Sequence, residues 1–114
     1  MVQIYHNPRC SKSRQALELL KSKNIDPEII LYLENPISTK DVEGILKMLK
    51  ISARDIIRKK ESEFKEMGLS DINISEKDLI EAIVKVPKLL ERPIVINGNK
   101  AAIGRPLANI LEIL

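Results

Sequence analysis

A chain of 114 residues has room for one domain, and 44% hydrophobic with 31% charged residues is typical of a folded protein rather than a disordered one. One cysteine excludes an intramolecular disulfide, and a net charge of +3 is too small to indicate nucleic acid as a partner. With two tyrosines, one phenylalanine and no tryptophan, few side chains could stack on nucleic-acid bases. No apolar run reaches the roughly 18 residues of a membrane helix, and the first residues lack a signal-peptide pattern. We therefore expect a cytoplasmic protein that binds neither membrane nor nucleic acid.

The first third of the chain predicts a strand, a helix and a second strand. Residues 2–5 alternate between apolar and polar side chains, which is typical of a strand. A helix with one apolar face follows over residues 10–23, and Asn24 is suited to its end. Residues 28–33 form a near-continuous apolar run, as expected for a strand that is covered on both faces. Together these elements predict a βαβ unit with parallel strands and a right-handed crossover.

The middle of the chain, about residues 38–90, predicts a helical insert. Three serine–aspartate pairs, each spaced by three residues, resemble N-terminal capping boxes and precede apolar residues at helical spacing. The pairs are Ser38 with Asp41, Ser52 with Asp55, and Ser75 with Asp78. Residues 61–73 are more polar and predict a short helix and a loop.

The tail predicts two strands, residues 93–96 and 100–103, joined by an Asn-Gly turn that is a strong hairpin signal. Pro106 suits the first position of a last helix, whose apolar residues between 107 and 114 follow the i, i+3, i+4, i+7 pattern. The order β-α-β, helical insert, β-β-α predicts an α/β protein with a thioredoxin-like fold and a mixed central sheet. We expect a single domain over residues 1–114.

Cys10 is the candidate nucleophile, because it begins a helix within the basic segment PRCSKSR. The unpaired N–H groups and the dipole at a helix N-terminus favour the thiolate, which is the reactive form of cysteine. The charges of Arg9, Lys12 and Arg14 are expected to lower the Cys10 pKa further, since no acidic residue precedes Glu18. The alternative is a structural cysteine that packs as a small hydrophobic residue.

Two polar residues, His6 and Ser13, flank Cys10 in the sequence. Ser13 either donates a hydrogen bond to a thiolate or anion, or caps the helix. Because Ser13 cannot resolve a disulfide, a redox-active Cys10 needs a thiol from another molecule. His6, the only histidine, either activates the cysteine as a Cys–His pair or orders the loop by hydrogen bonding. One cysteine and one histidine fall short of the usual metal ligand count, so we expect no metal site.

Three arginines, Arg58, Arg92 and Arg105, lie beside turns or the ends of predicted elements. Arginine presents a planar fork of donors that suits oxyanions, and the alternative for each residue is a solvated surface charge. The topology favours Arg92 and Arg105, because the short hairpin between them can fold back near the first helix. Pro93 begins the strand after Arg92. Thioredoxin-like sites commonly place a cis proline beside the cysteine loop, so we expect a cis bond rather than a trans proline at a sheet edge.

Five ordered motifs carry a family resemblance that spans nearly the whole chain. They are YHNPRCSKSR, LYLENP, IRKK, ERPIVI and GRP. In this order they resemble the glutaredoxin-dependent arsenate reductases, particularly the short arsenate-reductase-like members of that family. The resemblance implies a thioredoxin-like fold with a helical insert and the reduction of arsenate to arsenite.

The resemblance also implies a role for individual residues. Cys10 matches the nucleophile that attacks arsenate, while His6 and Ser13 match positions near the thiolate. The residues that match the oxyanion-binding arginines are Arg58, Arg92 and Arg105. No bound cofactor is implied: glutathione acts as a co-substrate that forms a mixed adduct, and glutaredoxin then restores the thiol.

Two other functions remain open. Regulators of the Spx kind share this fold and the RPI strand start but bind RNA polymerase, and many carry a second cysteine where this chain has Ser13. They also commonly lack one or more of the anion-binding arginines, which favours the enzyme here. The other alternative is a glutathione-linked thiol reductase that acts on a different substrate.

Overall fold

The computed structural model describes all residues from 1 to 114. The chain forms two compact units, one of Met1–Asn35 together with Arg92–Leu114 and one of Pro36–Glu91. The first unit contains the sheet, and the second contains most of the helices. None of the helices is long and apolar enough to cross a membrane.

The first unit is built on a mixed sheet of four strands. The strands are β1 (Val2–Tyr5), β2 (Glu28–Ile30), β3 (Ile94–Asn97) and β4 (Lys100–Ile103). Their spatial order is β2-β1-β3-β4; β1 and β2 are parallel, whereas β3 is antiparallel to both β1 and β4. The predicted combination of a parallel half and an antiparallel half in one sheet is confirmed.

The expectation for residues 28–33 was wrong in length and in burial. β2 ends at Ile30, lies at the sheet edge and leaves the Ile29 side chain 45% exposed. The chain then turns, with the Asn35 N–H donating to the Leu31 carbonyl at 2.9 Å. The apolar core forms over the central strands β1 and β3, so an apolar run at the edge of the sheet is only partly covered.

The helix α1 (Ser11–Ser22) packs on the two central strands through an aliphatic core. The fully buried residues of this core are Ile4, Ala16, Leu20, Val95 and Ile110. Full burial of one leucine or isoleucine side chain contributes roughly 1.5–3 kcal/mol, so this cluster fixes the helix on the sheet. Cys10 is the N-cap residue of α1, and the chain leaves the helix through Asn24, whose φ is 60°.

The second unit is helical. Its elements are α2 (Thr39–Leu49), α3 (Ala53–Ile56), α4 (Ser62–Glu66), α5 (Glu76–Lys85) and the 3₁₀ helix Pro87–Leu89. The predicted serine–aspartate pairs stand at the starts of α2, α3 and α5. In the first pair the Asp41 N–H donates to Ser38 Oγ at 3.1 Å, and the Ser38 N–H donates back to Asp41 Oδ2 at 3.0 Å. The predicted short helix and loop over residues 61–73 are present as α4 and the turns that follow it.

The hairpin between β3 and β4 has the predicted tight turn. Asn97 pairs with Lys100, which leaves Gly98 and Asn99 to make the connection. Gly98 has a φ of 64°, a conformation that glycine adopts without steric cost.

The last helix differs from the prediction. It is the 3₁₀ helix Leu107–Ile113, and Pro106 precedes it as the N-cap residue rather than standing at its first position. Residues three apart eclipse one another in a 3₁₀ helix, so the helix buries Ile110 and packs Leu107 and Ile113 beside it. The period is therefore three rather than 3.6, and the expected members Leu111 and Leu114 are 46% and 42% exposed.

Candidate active site

The loop between β1 and α1 is held in shape by hydrogen bonds to its own backbone. The Cys10 N–H donates to the Asn7 carbonyl at 3.0 Å, and the Arg9 N–H donates to Asn7 Oδ1 at 3.0 Å. From the helix, Arg14 Nη1 donates to the Pro8 carbonyl at 2.8 Å. These contacts hold Cys10 at the N-cap of α1. Asn7, which was not among the candidate residues, organises the loop with its main-chain and side-chain carbonyls.

The Cys10 thiol is partly exposed at the start of α1. Burial raises its pKa, but hydrogen bonds from the Ser13 N–H, the Arg92 guanidinium and the Lys12 N–H outweigh burial. The Cys10 pKa therefore lies below its ordinary value, and the reactive thiolate is favoured.

The charged side chain that lowers the Cys10 pKa through a hydrogen bond is Arg92, which is distant in sequence, and not one of the expected sequence neighbours. Arg9, Lys12 and Arg14 are exposed, where solvent screens their charges. Lys12 contributes through its backbone N–H, and the Arg14 side chain donates to the backbone of the preceding loop. The helix N-terminus was thus the correct sequence signal for a low pKa, whereas the local charge count was not.

Arg105 reaches the same thiol from the end of β4. Its Nη2 lies 3.8 Å from Cys10 Sγ, and its Nε donates to the Arg92 carbonyl at 2.6 Å. Because β3 and β4 are antiparallel, residues 92–93, which precede β3, lie beside residues 104–105, which follow β4. The structure thus brings Cys10, Arg92 and Arg105 together.

Gly104 and Pro93 form a close contact beneath the two arginines. The Arg92–Pro93 peptide bond is cis, as expected, and the Gly104 N–H donates to the Pro93 carbonyl at 2.8 Å. A Cβ atom on Gly104 would lie 2.8 Å from Pro93 Cγ and 3.0 Å from Ile110 Cδ1. Only a residue without a side chain fits there. The glycine of the GRP motif was therefore a sequence signal for this close approach.

Tyr32 is a buried polar residue of this site that was not among the candidate residues. Its side chain is fully buried, and its ring centroid lies 6.5 Å from that of Tyr5. Burial lowers the pKa of Arg92, but the Cys10 thiolate and the Tyr32 hydroxyl outweigh burial and raise it. The available sequence signal was a single tyrosine inside the aliphatic run EIILYL, since a buried tyrosine hydroxyl usually has a partner.

His6 and Ser13 form a buried pair beneath the loop. His6 Nδ1 and Ser13 Oγ are 2.6 Å apart, and Ser13 Oγ also accepts a hydrogen bond from the Asn7 N–H at 3.0 Å. Burial lowers the pKa of His6, as do the charges of Arg14 and Lys21, so the imidazole is neutral at pH 7. His6 thus orders the loop, which was one of its two expected roles. Ser13 is the third residue of α1 rather than its cap, and its side chain secures Asn7. Its hydrogen bond to a thiolate or anion stays a prediction.

Arg58 belongs to the second unit. Its guanidinium forms ion pairs with Glu61 at 3.3 Å and with Glu91 at 3.7 Å, and its backbone N–H donates to the Leu89 carbonyl at 2.7 Å. These contacts hold the guanidinium within that unit. Its role in binding an oxyanion stays a prediction.

Proteins of known sequence match the chain over nearly its full length. The ArsC family profile matches residues 5–113. The chain is 47% identical to an arsenate reductase from Haemophilus influenzae over 112 residues, which covers 97% of each sequence. It is 46% identical over 114 residues to an arsenate reductase from Neisseria meningitidis, which covers 99% of this chain and 97% of the other.

Solved structures match the chain equally well. An arsenate reductase from Vibrio cholerae has a TM-score of 0.97 at 43% identity, covering 99% of this chain and 97% of that one. A structure from Yersinia pestis has a TM-score of 0.95 at 45% identity, covering 99% of this chain and 100% of that one. These matches confirm the thioredoxin-like α/β fold and the family resemblance carried by the five motifs. The chain belongs to the ArsC family.

Proposed function

We propose that the protein is an arsenate reductase, which reduces arsenate to arsenite. The observation that carries the proposal is a single thiol held by two arginines. Cys10 Sγ lies 3.8 Å from Arg105 Nη2 and accepts a hydrogen bond from Arg92. The arsenate reductases among the full-length relatives support the same substrate.

The residues around the thiol suit an oxyanion. Arsenate is negatively charged at neutral pH, and arginine forks together with the unpaired N–H groups of a helix N-terminus bind such anions. Arg92 and Arg105 would hold the arsenate oxygens and neutralise the charge that develops as sulfur attacks. We assign Arg58 to the same role on the family resemblance. Pro93, which precedes β3 directly after Arg92, is a supporting residue.

The reaction needs two thiols for each arsenate. The Cys10 thiolate attacks arsenic, an S–As bond forms, and one arsenate oxygen leaves as water after taking up protons. Reduction of As(V) to As(III) then takes two electrons, which two thiols supply as they join in one disulfide. With glutathione as the second thiol, arsenic acid, the Cys10 thiol and glutathione yield arsenous acid, water and a Cys10–glutathione disulfide.

Cys10 cannot be restored from within the chain, because it is the only cysteine. A glutaredoxin thiolate would attack the glutathione sulfur of the mixed disulfide, releasing the Cys10 thiolate and carrying the glutathione away. Glutathione is thus a co-substrate and glutaredoxin a partner, and the chemistry requires no bound cofactor. His6 and Ser13 support the cycle by holding the loop that carries the nucleophile.

The test is arsenate-dependent oxidation of NADPH in the presence of glutathione, glutaredoxin and glutathione reductase. The full chain is expected to sustain turnover, and Cys10→Ser is expected to reduce it to the rate without enzyme, because a serine hydroxyl is not ionised at neutral pH. The same assay without glutaredoxin, or with thioredoxin and its reductase instead, tests the thiol donor.

Two results would count against the proposal. No arsenate-dependent rate in wild type, with auxiliary proteins that reduce an ordinary mixed disulfide, would remove arsenate as substrate. Full turnover with thioredoxin alone would retain the reductase and remove the glutathione linkage.

A further inference from the structure

The Arg58 guanidinium faces two carboxylates of its own unit. Its Nε lies 3.3 Å from Glu61 Oε1, and its Nη1 lies 3.7 Å from Glu91 Oε1. Both nitrogens are buried, and neither makes a hydrogen bond. Ion pairs of this kind attract the guanidinium without fixing its direction, because directional restraint requires an N–H aligned with its acceptor. We call Arg58, Glu61 and Glu91 the arginine–glutamate cluster.

Backbone hydrogen bonds hold the arginine–glutamate cluster together independently of its side chains. The Arg58 N–H donates to the Leu89 carbonyl at 2.7 Å, and the Glu91 N–H donates to the Ile56 carbonyl at 2.8 Å. The Glu61 N–H donates to the Arg58 carbonyl at 3.3 Å. Replacement of either glutamate by glutamine retains these bonds. Such a change is therefore expected to leave Arg58 in place and to remove one negative charge.

The arginine–glutamate cluster contains one cation and two carboxylates, which gives it a net charge of −1. The Glu61 and Glu91 side chains are only 24% and 26% exposed, so solvent screens their charges less than those of fully exposed carboxylates. Lys88, on which the charge of Glu61 also acts, forms its own ion pair with Glu63. The field around the Arg58 guanidinium is therefore dominated by two partly buried negative charges.

An oxyanion that binds Arg58 competes with these two carboxylates. The Nε and Nη1 atoms bear most of the guanidinium N–H donors, and each of the two atoms faces a glutamate. An oxyanion either takes these donors from the glutamates or binds the remaining donors beside two charges of its own sign. Both arrangements weaken the binding of the oxyanion, because like charges repel.

We propose that Glu61 and Glu91 restrain Arg58 and thereby lower the affinity of the protein for its oxyanion substrate. This inference rests on the proposed function, which assigns Arg58 to the arsenate oxygens. The two glutamates oppose the substrate and the transition state alike, since both are anionic. They therefore set the KM for arsenate and leave kcat unchanged. Phosphate, a tetrahedral oxyanion of similar charge, is weakened in the same way.

Oxyanion binding can be measured without turnover. An oxyanion held at the nucleophile is expected to protect Cys10 from iodoacetamide. The alkylation rate of the full chain at increasing concentrations of arsenate, without glutathione, therefore gives a dissociation constant. The same titration with phosphate gives a second value for an anion that is not reduced. Both titrations are made at constant ionic strength, because added salt alone screens the charges of the site.

Glu61→Gln is expected to lower the dissociation constant for arsenate about two- to fivefold, the size of one ion pair near the protein surface. Glu91→Gln is expected to change it in the same direction. Glu66→Gln is the matched control, because this exposed residue at the end of α4 carries the same charge but forms none of the ion pairs. A rise in the dissociation constant of Glu61→Gln would mean that Glu61 positions Arg58 for binding and would overturn the proposal. An equal fall in Glu66→Gln would overturn it as well.

Arg58→Gln tests whether Glu61 acts through the arginine. This variant alone is expected to raise the dissociation constant for arsenate, because a charged donor is lost. In the Arg58→Gln background, the further change Glu61→Gln is expected to have no larger effect than Glu66→Gln, since no guanidinium is left to restrain. A two- to fivefold fall in the double variant, relative to Arg58→Gln, would mean that Glu61 repels the anion directly. That result would overturn the proposal.

Failure of this inference and failure of the proposed function give different results. Tighter oxyanion binding in Glu61→Gln that depends on Arg58 supports the inference even if arsenate is bound without being reduced. Arsenate reduction by Glu61→Gln with the KM of the wild type would retain the reductase and overturn the inference. If neither arsenate nor phosphate protects Cys10 in the wild type, the inference is overturned, and arsenate reduction is decided by its own assay.

Discussion

The reactivity of Cys10 depends on donors from two distant parts of the chain. The N–H groups of Lys12 and Ser13 belong to the first turn of α1, and the third donor, Arg92, precedes β3. The backbone contribution follows from any helix N-terminus and can be predicted from a cysteine at an N-cap. The position of the Arg92 guanidinium depends on strand pairing, so the local sequence around Cys10 does not indicate it.

Replacement of Arg92 by Gln is expected to raise the Cys10 pKa. The thiolate loses a charged donor while its burial, which raises the pKa, is unchanged. The midpoint of the pH dependence of iodoacetamide alkylation measures the effect. Arg9→Gln is the control, since this neighbour is exposed and is expected to leave the midpoint in place. A midpoint that is the same in Arg92→Gln and wild type would mean that the Arg92 guanidinium does not lower the Cys10 pKa.

Tyr32→Phe is expected to impair substrate binding more than folding. The variant keeps the buried ring and its position near Tyr5 but removes a hydroxyl that acts on Arg92. A hydrogen bond to a charged group contributes about 1.5–3 kcal/mol, so we expect kcat/KM for arsenate to fall roughly ten- to a hundredfold. Steady-state kinetics and urea unfolding measure the two effects. An unchanged kcat/KM would separate Tyr32 from the function of Arg92.

At the scale of elements, a prediction from the sequence was accurate where the feature depends only on nearby residues. The serine caps and the Asn-Gly turn are determined within a few residues, and their predictions were confirmed. The burial of β2 depends on its place at the sheet edge, which no pattern within residues 28–33 encodes. The 3₁₀ helix Leu107–Ile113 shows the same limit, because a short apolar stripe is compatible with a period of three or of 3.6.

Gly104→Ala is expected to destabilise the protein, whereas Gly44→Ala is expected to stabilise it. The new methyl group at Gly104 would clash with the Pro93 ring at 2.8 Å, and such overpacking costs about 1–3 kcal/mol. Gly44 lies within α2 with nothing within 4 Å of an added Cβ, so alanine there gains roughly 0.5–1 kcal/mol of helix propensity. Urea unfolding of the two variants gives both signs. Two stabilised variants would show that Pro93 moves aside easily.

For the whole molecule, the order of helices and strands could be predicted from the sequence. The residues of the candidate active site could be predicted only in part. Alternation, helical spacing and capping boxes lead to the mixed sheet and the helices of the second unit. The convergence of Arg92 and Arg105 on Cys10 followed from treating the last two strands as one hairpin. Tyr32 could not be derived in this way, because it acts on Arg92, which is distant in sequence. The role of Asn7 lies in the hydrogen bonds within its own loop, which the sequence pattern did not specify.

The folded protein is expected to lose stability in acid through His6. Burial and the nearby charges of Arg14 and Lys21 hold the His6 pKa below 6.5, its ordinary value, which it regains on unfolding. The unfolded chain therefore binds a proton more readily than the folded one. The contribution of His6 to the free energy of unfolding is fully present above the unfolded pKa. It is lost as the pH falls from there through the folded pKa. The pKa of Cys10 is also lowered on folding, so Cys10 too contributes stability that is lost as the pH falls. The measurement is therefore made in a Cys10→Ser background. Urea unfolding across the histidine range should show a decline that His6→Gln removes, since the chain has no other histidine. An equal decline in both proteins would place the acid sensitivity in the carboxylates, and the titration of the imidazole by NMR would then have to show an ordinary pKa.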